Sequence, residues 1–364
     1  MKRYVFLLAT GIIFSINNMF AQNLRSDFRN FSLNIIPVYE SWSMEDSTSF
    51  SEFTNKLNGS YYFTQNTNVA FSSQYATVGG DLNKLSGISD IQLMFNHYFP
   101  NKIIGIQGGV NIPSGKTKLS DDEFNTSRVI SQNLFALNTP NFGMGLNAFL
   151  GMTWTQPLSD VFVFGAGVSY QLKNEYQPLK NSDAKYNPSD EFSFTAGFDV
   201  NASKTSTITA DVTGIFYGSD ELDGKKIFKA GNRIISNLLY NQYFEYNILS
   251  LNLIYRHSSV EELEGIGPVL DEEKINPSQF YTGVSFFHKI SNDVSMNYGL
   301  FLIFYEETAL YFSGYTVYGI RLAPEFSVSK NIKIPLFLKF ALGSHSENLS
   351  LTNYQVGSGI KFSF

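Results

Sequence analysis

The chain contains no cysteine in 364 residues, which excludes both a disulfide and a lipid-modified cysteine. Beyond residue 21 it also lacks any apolar run near the ~18 residues that a membrane-crossing helix needs, so helical spans are not expected. Positive charge is scarce: with Lys2 and Arg3 assigned to a leader, 24 basic groups face 32 acidic ones, a net charge of −8. That is the opposite of the electrostatic footprint of a nucleic-acid binder. The four histidines, His97, His257, His288 and His345, are far apart. None forms an HxxxH or similar pair, and neither a metal nor another cofactor is expected. No internal repeat, heptad or low-complexity tract stands out either.

What is abundant is aromatic surface, with 34 Phe and 21 Tyr but only 2 Trp. A transmembrane β-barrel uses such residues for its lipid face and its interfacial girdles. The amino-terminus has the tripartite layout of a secretory signal peptide over residues 1–21. Met1-Lys2-Arg3 is basic, residues 4–14 are mostly apolar, and a polar step at Asn17 and Asn18 precedes Phe20-Ala21-Gln22. Cleavage is expected after Ala21, although Met19 is larger than ideal three residues before the cut. Residues 22–30 would form a short periplasmic amino-terminus, too short for a plug domain, and 31–364 a single domain.

The pattern of that domain is clearest at its end. Tyr354, Val356, Ile360, Phe362 and Phe364 share one face, while Gln355, Gly357, Gly359, Lys361 and Ser363 share the other. A period of two with one greasy side describes a β-strand. The same alternation sets Phe162, Phe164, Ala166, Val168, Tyr170 and Leu172 against Val163, Gly165, Gly167, Ser169 and Gln171. It also sets Ile332, Ile334, Leu336, Leu338 and Phe340 against Lys333 and Lys339. Segments of ten or more residues suit a tilted bilayer crossing. Very short connections (65–68, 100–102, 156–160, 203–206, 291–293, 329–331) largely alternate with long polar ones (41–51, 79–87, 114–143, 177–190, 219–232, 258–278, 343–352). That is the layout of periplasmic turns and outer loops. The fold class is therefore an all-β, antiparallel transmembrane barrel of the outer membrane with 14–16 strands, whose last strand closes on the first. The count depends on whether 233–256 splits near 241–247, and Pro335 inside a strand predicts a bulge.

Residues on the polar faces are the candidates for lumen chemistry: Asp199, Asp211, Arg256, Arg321, Lys333, Lys339 and Lys361. The last four of these cations could form a basic strip that attracts anions or carboxylate groups, or the charges could simply pair with Asp199, Asp211 and Glu325. Asp199 and Asp211 flank one tight turn at nearly matching distances. The loop 114–143 is long enough to fold into the barrel mouth as a constriction, with Lys116, Lys118, Asp121, Asp122 and Glu123 as its charged candidates. Its Ser114-Gly115-Lys116-Thr117 echoes a phosphate loop, but the earlier glycine and the following α/β context are missing. An enzyme acting on lipids would need a serine within reach of a histidine at the outer rim. Such a pair is not expected, and the protein is read as a non-enzyme. Acidic clusters at 121–123, 220–223, 261–264 and 271–273 either bridge divalent cations to anionic outer-leaflet sugars or solvate exposed loops.

At 109–116 (Gly-Val-Asn-Ile-Pro-Ser-Gly-Lys), and at 216–223 (Phe-Tyr-Gly-Ser-Asp-Glu-Leu-Asp) followed by Ala-Gly-Asn-Arg at 230–233, the chain resembles the outer-membrane barrels grouped with the phenol meta-pathway transporters. More distantly it resembles the long-chain fatty acid transporters. The Ala-Gln cleavage site and the terminal aromatic look like those of exported proteins from Bacteroidetes-type bacteria. The resemblance implies uptake of small apolar or aromatic compounds. One departure is that residues 22–30 are too short to supply the amino-terminal hatch of the fatty acid transporters. The expected function is a passive channel or transporter for small solutes. The alternative is a structural, adhesion or secretion-complex barrel. Expected partners are outer-membrane lipids and lipopolysaccharide, the barrel-assembly machinery through the carboxy-terminal strand, and a small-molecule solute.

Overall fold

Alternating apolar and polar residues dictate strands with one lipid-facing and one inward side, and the computed structural model shows sixteen of them. It describes residues 30–44, 48–132, 134–263, 274–308, 314–345 and 350–364. The signal peptide, residues 22–29, and the acidic residues Glu264 and 271–273 lie outside that set. The barrel strands are β1 Phe31–Met44, β2 Ser49–Thr64, β3 Thr67–Gly80, β4 Leu85–Ile88 continued by Ile91–Tyr98, β5 Ile104–Ile112, β6 Asn147–Pro157, β7 Phe162–Lys173 and β8 Glu191–Ser203. They continue with β9 Ser206–Tyr217, β10 Arg233–Phe244, β11 Asn247–Ser258, β12 Gln279–Lys289, β13 Val294–Tyr305, β14 Tyr315–Ser329, β15 Ile332–His345, and β16 Ser350–Ser358 continued by Ile360–Ser363. Each pairs antiparallel with its sequence neighbours.

The ring closes where β16 meets β1, with Val38 opposite Gly357 and Ile35 opposite Ile360. The Phe31 N–H donates to the Phe364 carbonyl at 3.0 Å, and the Phe364 N–H returns the bond at 2.9 Å. Closure satisfies every edge, which is what lets strands cross a hydrocarbon layer. Both termini of the barrel lie at the end with the short turns, the periplasmic arrangement. Leu150, Leu300 and Leu338 are exposed on the outer face. A rim of Phe63, Phe99, Phe244, Tyr246 and Phe364 stands at the short-turn end, the position of an aromatic girdle.

Three expected loops turn out to be largely strand: β1 and β2 run through much of 41–51, β3 and β4 through much of 79–87, and β15 and β16 through much of 343–352. The stretch 233–256 does split, between Phe244 and Asn247, with Glu245 at φ 45°. Pro335 produces no bulge. The β15–β16 register is the same before it, Lys333 opposite Lys361, and after it, Leu336 opposite Ser358. The missing proline donor shows instead as the interruption of β16 at Gly359, whose N–H still donates to the Pro335 carbonyl at 3.1 Å.

Two structures stand on the long-loop end. Segments Tyr186–Asn187, Ser219–Leu222, Lys225–Lys229 and Glu262–Leu263 form a small four-stranded sheet. Its central hairpin turns at Asp223-Gly224, both with positive φ, as a two-residue hairpin turn requires. The second is α1, Asp121–Ile130, in the loop 113–146. It opens on a capping box between Ser120 and Glu123.

Candidate functional site: the outer mouth and the lumen wall

Loop 113–146 folds into the barrel. Ile130, Leu134, Phe135, Leu137 and Phe142 form one buried cluster with inward-facing residues of the wall, including Trp42, Phe50, Val78, Phe301, Tyr315 and Leu351. Phe135 meets Trp42 and Phe50 edge-on, at centroid separations of 5.3 Å and 4.9 Å. The wall residues of this cluster come from β1–β4 and β12–β16. At roughly 1.5–3 kcal/mol per buried apolar side chain, five such residues hold the loop with on the order of 10 kcal/mol.

Two carboxylates from the wall clamp the loop backbone. Ser89 and Asp90 interrupt β4, and the register against β3 shifts by one residue across them, with Tyr75 opposite Ile88 but Ser72 opposite Gln92. Such a bulge re-aims a side chain. Asp90 takes the Gly115 N–H on Oδ1 at 2.9 Å and the Met144 N–H on Oδ2 at 2.7 Å, so that one carboxyl ties both stems of the loop. Gly115 is required there, because a Cβ would lie 2.2 Å from the Phe142 carbonyl and 2.7 Å from the Asp90 nitrogen. At the tip, Glu52 accepts the Asn138 and Thr139 N–H groups, each at 2.9 Å. The hydroxyls of Thr54 and Thr139 meet at 3.4 Å.

Glu52 stands directly opposite Glu40 in the β1–β2 register, and both are fully buried. Two adjacent buried carboxylates persist only if paired and hydrogen-bonded. Glu40 accepts from Lys339 Nζ at 2.8 Å, Asn353 Nδ2 at 2.9 Å and Gln355 Nε2 at 3.0 Å. Lys56 adds a second positive charge that acts on both.

The outer side of the loop is held by charge. Glu123 forms ion pairs with Lys116 and, at 3.1 Å, with Lys180. Burial works to raise its carboxyl, but hydrogen bonds from Lys116, the Ser120 N–H and Lys180 outweigh it and hold the group down at about 2. Lys118, Asp121 and Asp122 are exposed, the two acids in the first turn of α1, where they complement the helix dipole. The segment that reaches the wall is 130–142, with apolar side chains and two backbone amides rather than these charges.

The lumen candidates separate into groups. Lys333 and Lys361, opposite each other in register, both bind Glu325, at 2.8 Å and 2.7 Å. Lys339 belongs to Glu40. Arg321 lies opposite Lys339, its guanidinium carbon 4.7 Å from the centroid of the Phe301 ring. Arg256 stands apart on β11, donating to Gln279 Oε1 at 3.3 Å with its Nε buried and unpaired. Asp199 and Asp211 are diagonal neighbours, since register sets them opposite Thr209 and Gly197. Asp199 accepts from the Thr209 hydroxyl and Asp211 from Asn237 at 3.1 Å. Among the described residues no group of three or more potential metal ligands occurs.

Asp90, Glu40, Glu52, Asn138 and Thr139 were missed by sequence reasoning. One signal was present: Glu40, Trp42 and Met44 share strand parity, which places an acid beside apolar residues on the inward face. In the outer loops, Asp220 accepts from the Tyr186 hydroxyl and the Ser189 N–H, and Glu261 from Ile275 and Asn276. His257 Nδ1 lies 3.4 Å from Ser278 Oγ, but that hydroxyl is buried and already bonded by Lys274 Nζ at 2.8 Å.

Comparison with known structures finds barrels along nearly the whole chain. CdiB from Acinetobacter baumannii superposes with a TM-score of 0.51 at 8% identity, over 91% of this chain and 60% of that one. The fold is the outer-membrane β-barrel. The monoaromatic hydrocarbon channel CymD gives 0.49 at 8% identity, over 93% of this chain and 89% of its own. OprB from Pseudomonas putida gives 0.48 at 10% identity, over 92% and 94%. No family model and no curated protein matches the sequence. At these identities the likeness concerns fold alone, and the resemblance to phenol meta-pathway transporters rests on its short motifs.

Proposed function

We propose that the protein is a passive outer-membrane channel for small solutes, with a mouth narrowed by the seated loop 113–146. The observation that carries this reading is the contrast along the lumen. The inward-facing Lys333 side chain is 45% exposed, whereas Phe135 and Glu52 at the mouth are fully buried. Sixteen strands enclose more space than side chains alone fill, so water occupies the periplasmic half and the loop sets the limit on size. Solute selectivity would come from that mouth together with the lumen charges. In this reading the outer aromatics contact lipid and lipopolysaccharide, and β16 is the strand that the assembly machinery engages.

Single-channel recording of the refolded full chain in planar bilayers tests it: small, stable steps are expected. A folded barrel with no conductance would sink the channel and favour a second reading, a closed barrel with a structural or docking role. That alternative draws its support from Ile215 and Ile235, inward residues of β9 and β10 away from the loop cluster that are nevertheless buried.

A further inference from the structure

We propose that Arg321, with the aromatic wall beside it, binds the carboxylate of a small organic anion inside the lumen. The proposal rests on the channel reading for the route by which a solute arrives, but not for the site itself.

The other cations of the same wall are occupied. Lys333, Lys339 and Lys361 each hold a carboxylate at 2.7–2.8 Å. Arg321 faces inward on β14, is exposed, and among the described residues no oxygen atom accepts from its guanidinium. Among those residues its five N–H donors are therefore without an oxygen acceptor, and their planar fork matches a carboxylate at two points. The neighbouring Lys339, opposite in register, adds positive potential while its own ammonium is held by Glu40.

The surroundings specify more than charge. Phe301 lies under the guanidinium, and Tyr281 stacks on Phe301 at 6.5 Å with 13° between the planes. Glycine makes room for these rings against the wall. A Cβ at Gly319 would fall 2.6 Å from the Phe301 ring, and one at Gly283 would fall 2.5 Å from the Tyr281 hydroxyl. At Gly299, opposite Arg321, nothing lies nearer than 3.5 Å. Phe301 is itself buried beneath the loop cluster and Tyr281 is half-buried, so the guanidinium stands at the edge of the dry core, where a carboxylate that fits its planar fork at two points pairs better than a hydrated inorganic ion that cannot.

The test is calorimetric titration of benzoate into the detergent-refolded full chain, for wild type, Arg321→Gln, Arg321→Lys and Lys204→Gln, an exposed lysine of the β8–β9 turn. Heat-modifiable gel migration checks that each variant is folded, and Arg321→Lys covers the case in which the glutamine variant fails. Charge-assisted pairing predicts a loss of about 10- to 100-fold in affinity for Arg321→Gln, a smaller loss for Arg321→Lys, and less than about twofold change for Lys204→Gln, which lies at the periplasmic turn away from this wall. Absence of benzoate binding to wild type, or equal binding to folded Arg321 variants, overturns the proposal. Competition by chloride as strong as benzoate itself overturns the assignment to organic carboxylates. Binding without bilayer conductance leaves this site standing and removes the channel. Conductance without binding does the reverse.

Discussion

Glu52 and Glu325 are the same residue type on the same inward face, and they do different work. Glu52 is fully buried and receives two backbone amides of the inserted loop. Glu325 bridges two lysines, one of which is 45% exposed. What separates them is whether a loop folds over that part of the wall. Where it does, the lumen becomes a dry core obeying the rules of a globular interior. Where it does not, the charges keep part of their exposure, 45% for Lys333, 29% for Lys361 and 16% for Glu325. A barrel wall therefore does not have one character, and inward parity alone does not say which kind of site a residue occupies.

The largest expected effect falls on the dry half. Phe135→Ala removes the ring that joins Trp42 to Phe50 and should cost about 3–5 kcal/mol of loop seating, read as protease cleavage within 113–146 while the barrel stays heat-modifiable. A matched pair of substitutions then sharpens the contrast. Glu52→Gln leaves one of two amides without an acceptor and should loosen the loop by about 1–3 kcal/mol. Glu325→Gln leaves Lys333 and Lys361 facing each other without their carboxylate, so it should leave the loop seated but raise anion preference in bilayers by unmasking both lysines. Equal effects from the two would break the distinction between the halves.

Asp90→Asn also leaves one loop stem without its acceptor, at about 1–3 kcal/mol, and should give cleavage near residues 115 and 144 with the tip still protected.

The smallest effect concerns the outer tether. The Glu123 carboxyl is held at about 2, below the ordinary 4.5. A depressed carboxyl contributes stability that is present above its ordinary value and lost only as pH falls through about 2. Trp42 emission, read in a Trp154→Phe background, should therefore stay constant from pH 7 to about pH 4.5 as far as this tether is concerned. Glu123→Gln should shift it slightly at neutral pH, by no more than about 1 kcal/mol of seating.

The strands of the closing region and of 162–172 were legible because lipid selects one face strongly. The turn between β10 and β11 could be bracketed to 241–247 but not placed within it, because Glu245 adopts the left-handed conformation that glycine or asparagine usually signals. Pro335 misled in the other direction: its lost donor is absorbed by a pause in β16, with no register shift. The mouth was the least legible part. That a loop of some thirty residues would enter the barrel could be expected from its length, but which part of it enters depends on long-range packing of Phe135 against residues 42 and 50. Charge drew attention to Lys116–Glu123, whereas the fit is made by apolar residues and by carboxylates at positions 40, 52 and 90.

The central claim is that the loop is a fixed constriction rather than a lid. The natural absence of cysteine allows a clean test with Thr54→Cys/Thr139→Cys, positions whose hydroxyls meet at 3.4 Å. On the proposed channel reading, conductance of the oxidised double variant should equal that of the same channels after reduction, because the seated loop does not have to leave for a solute to pass. Channels silent when oxidised and conducting when reduced would contradict the account and make the loop a gate.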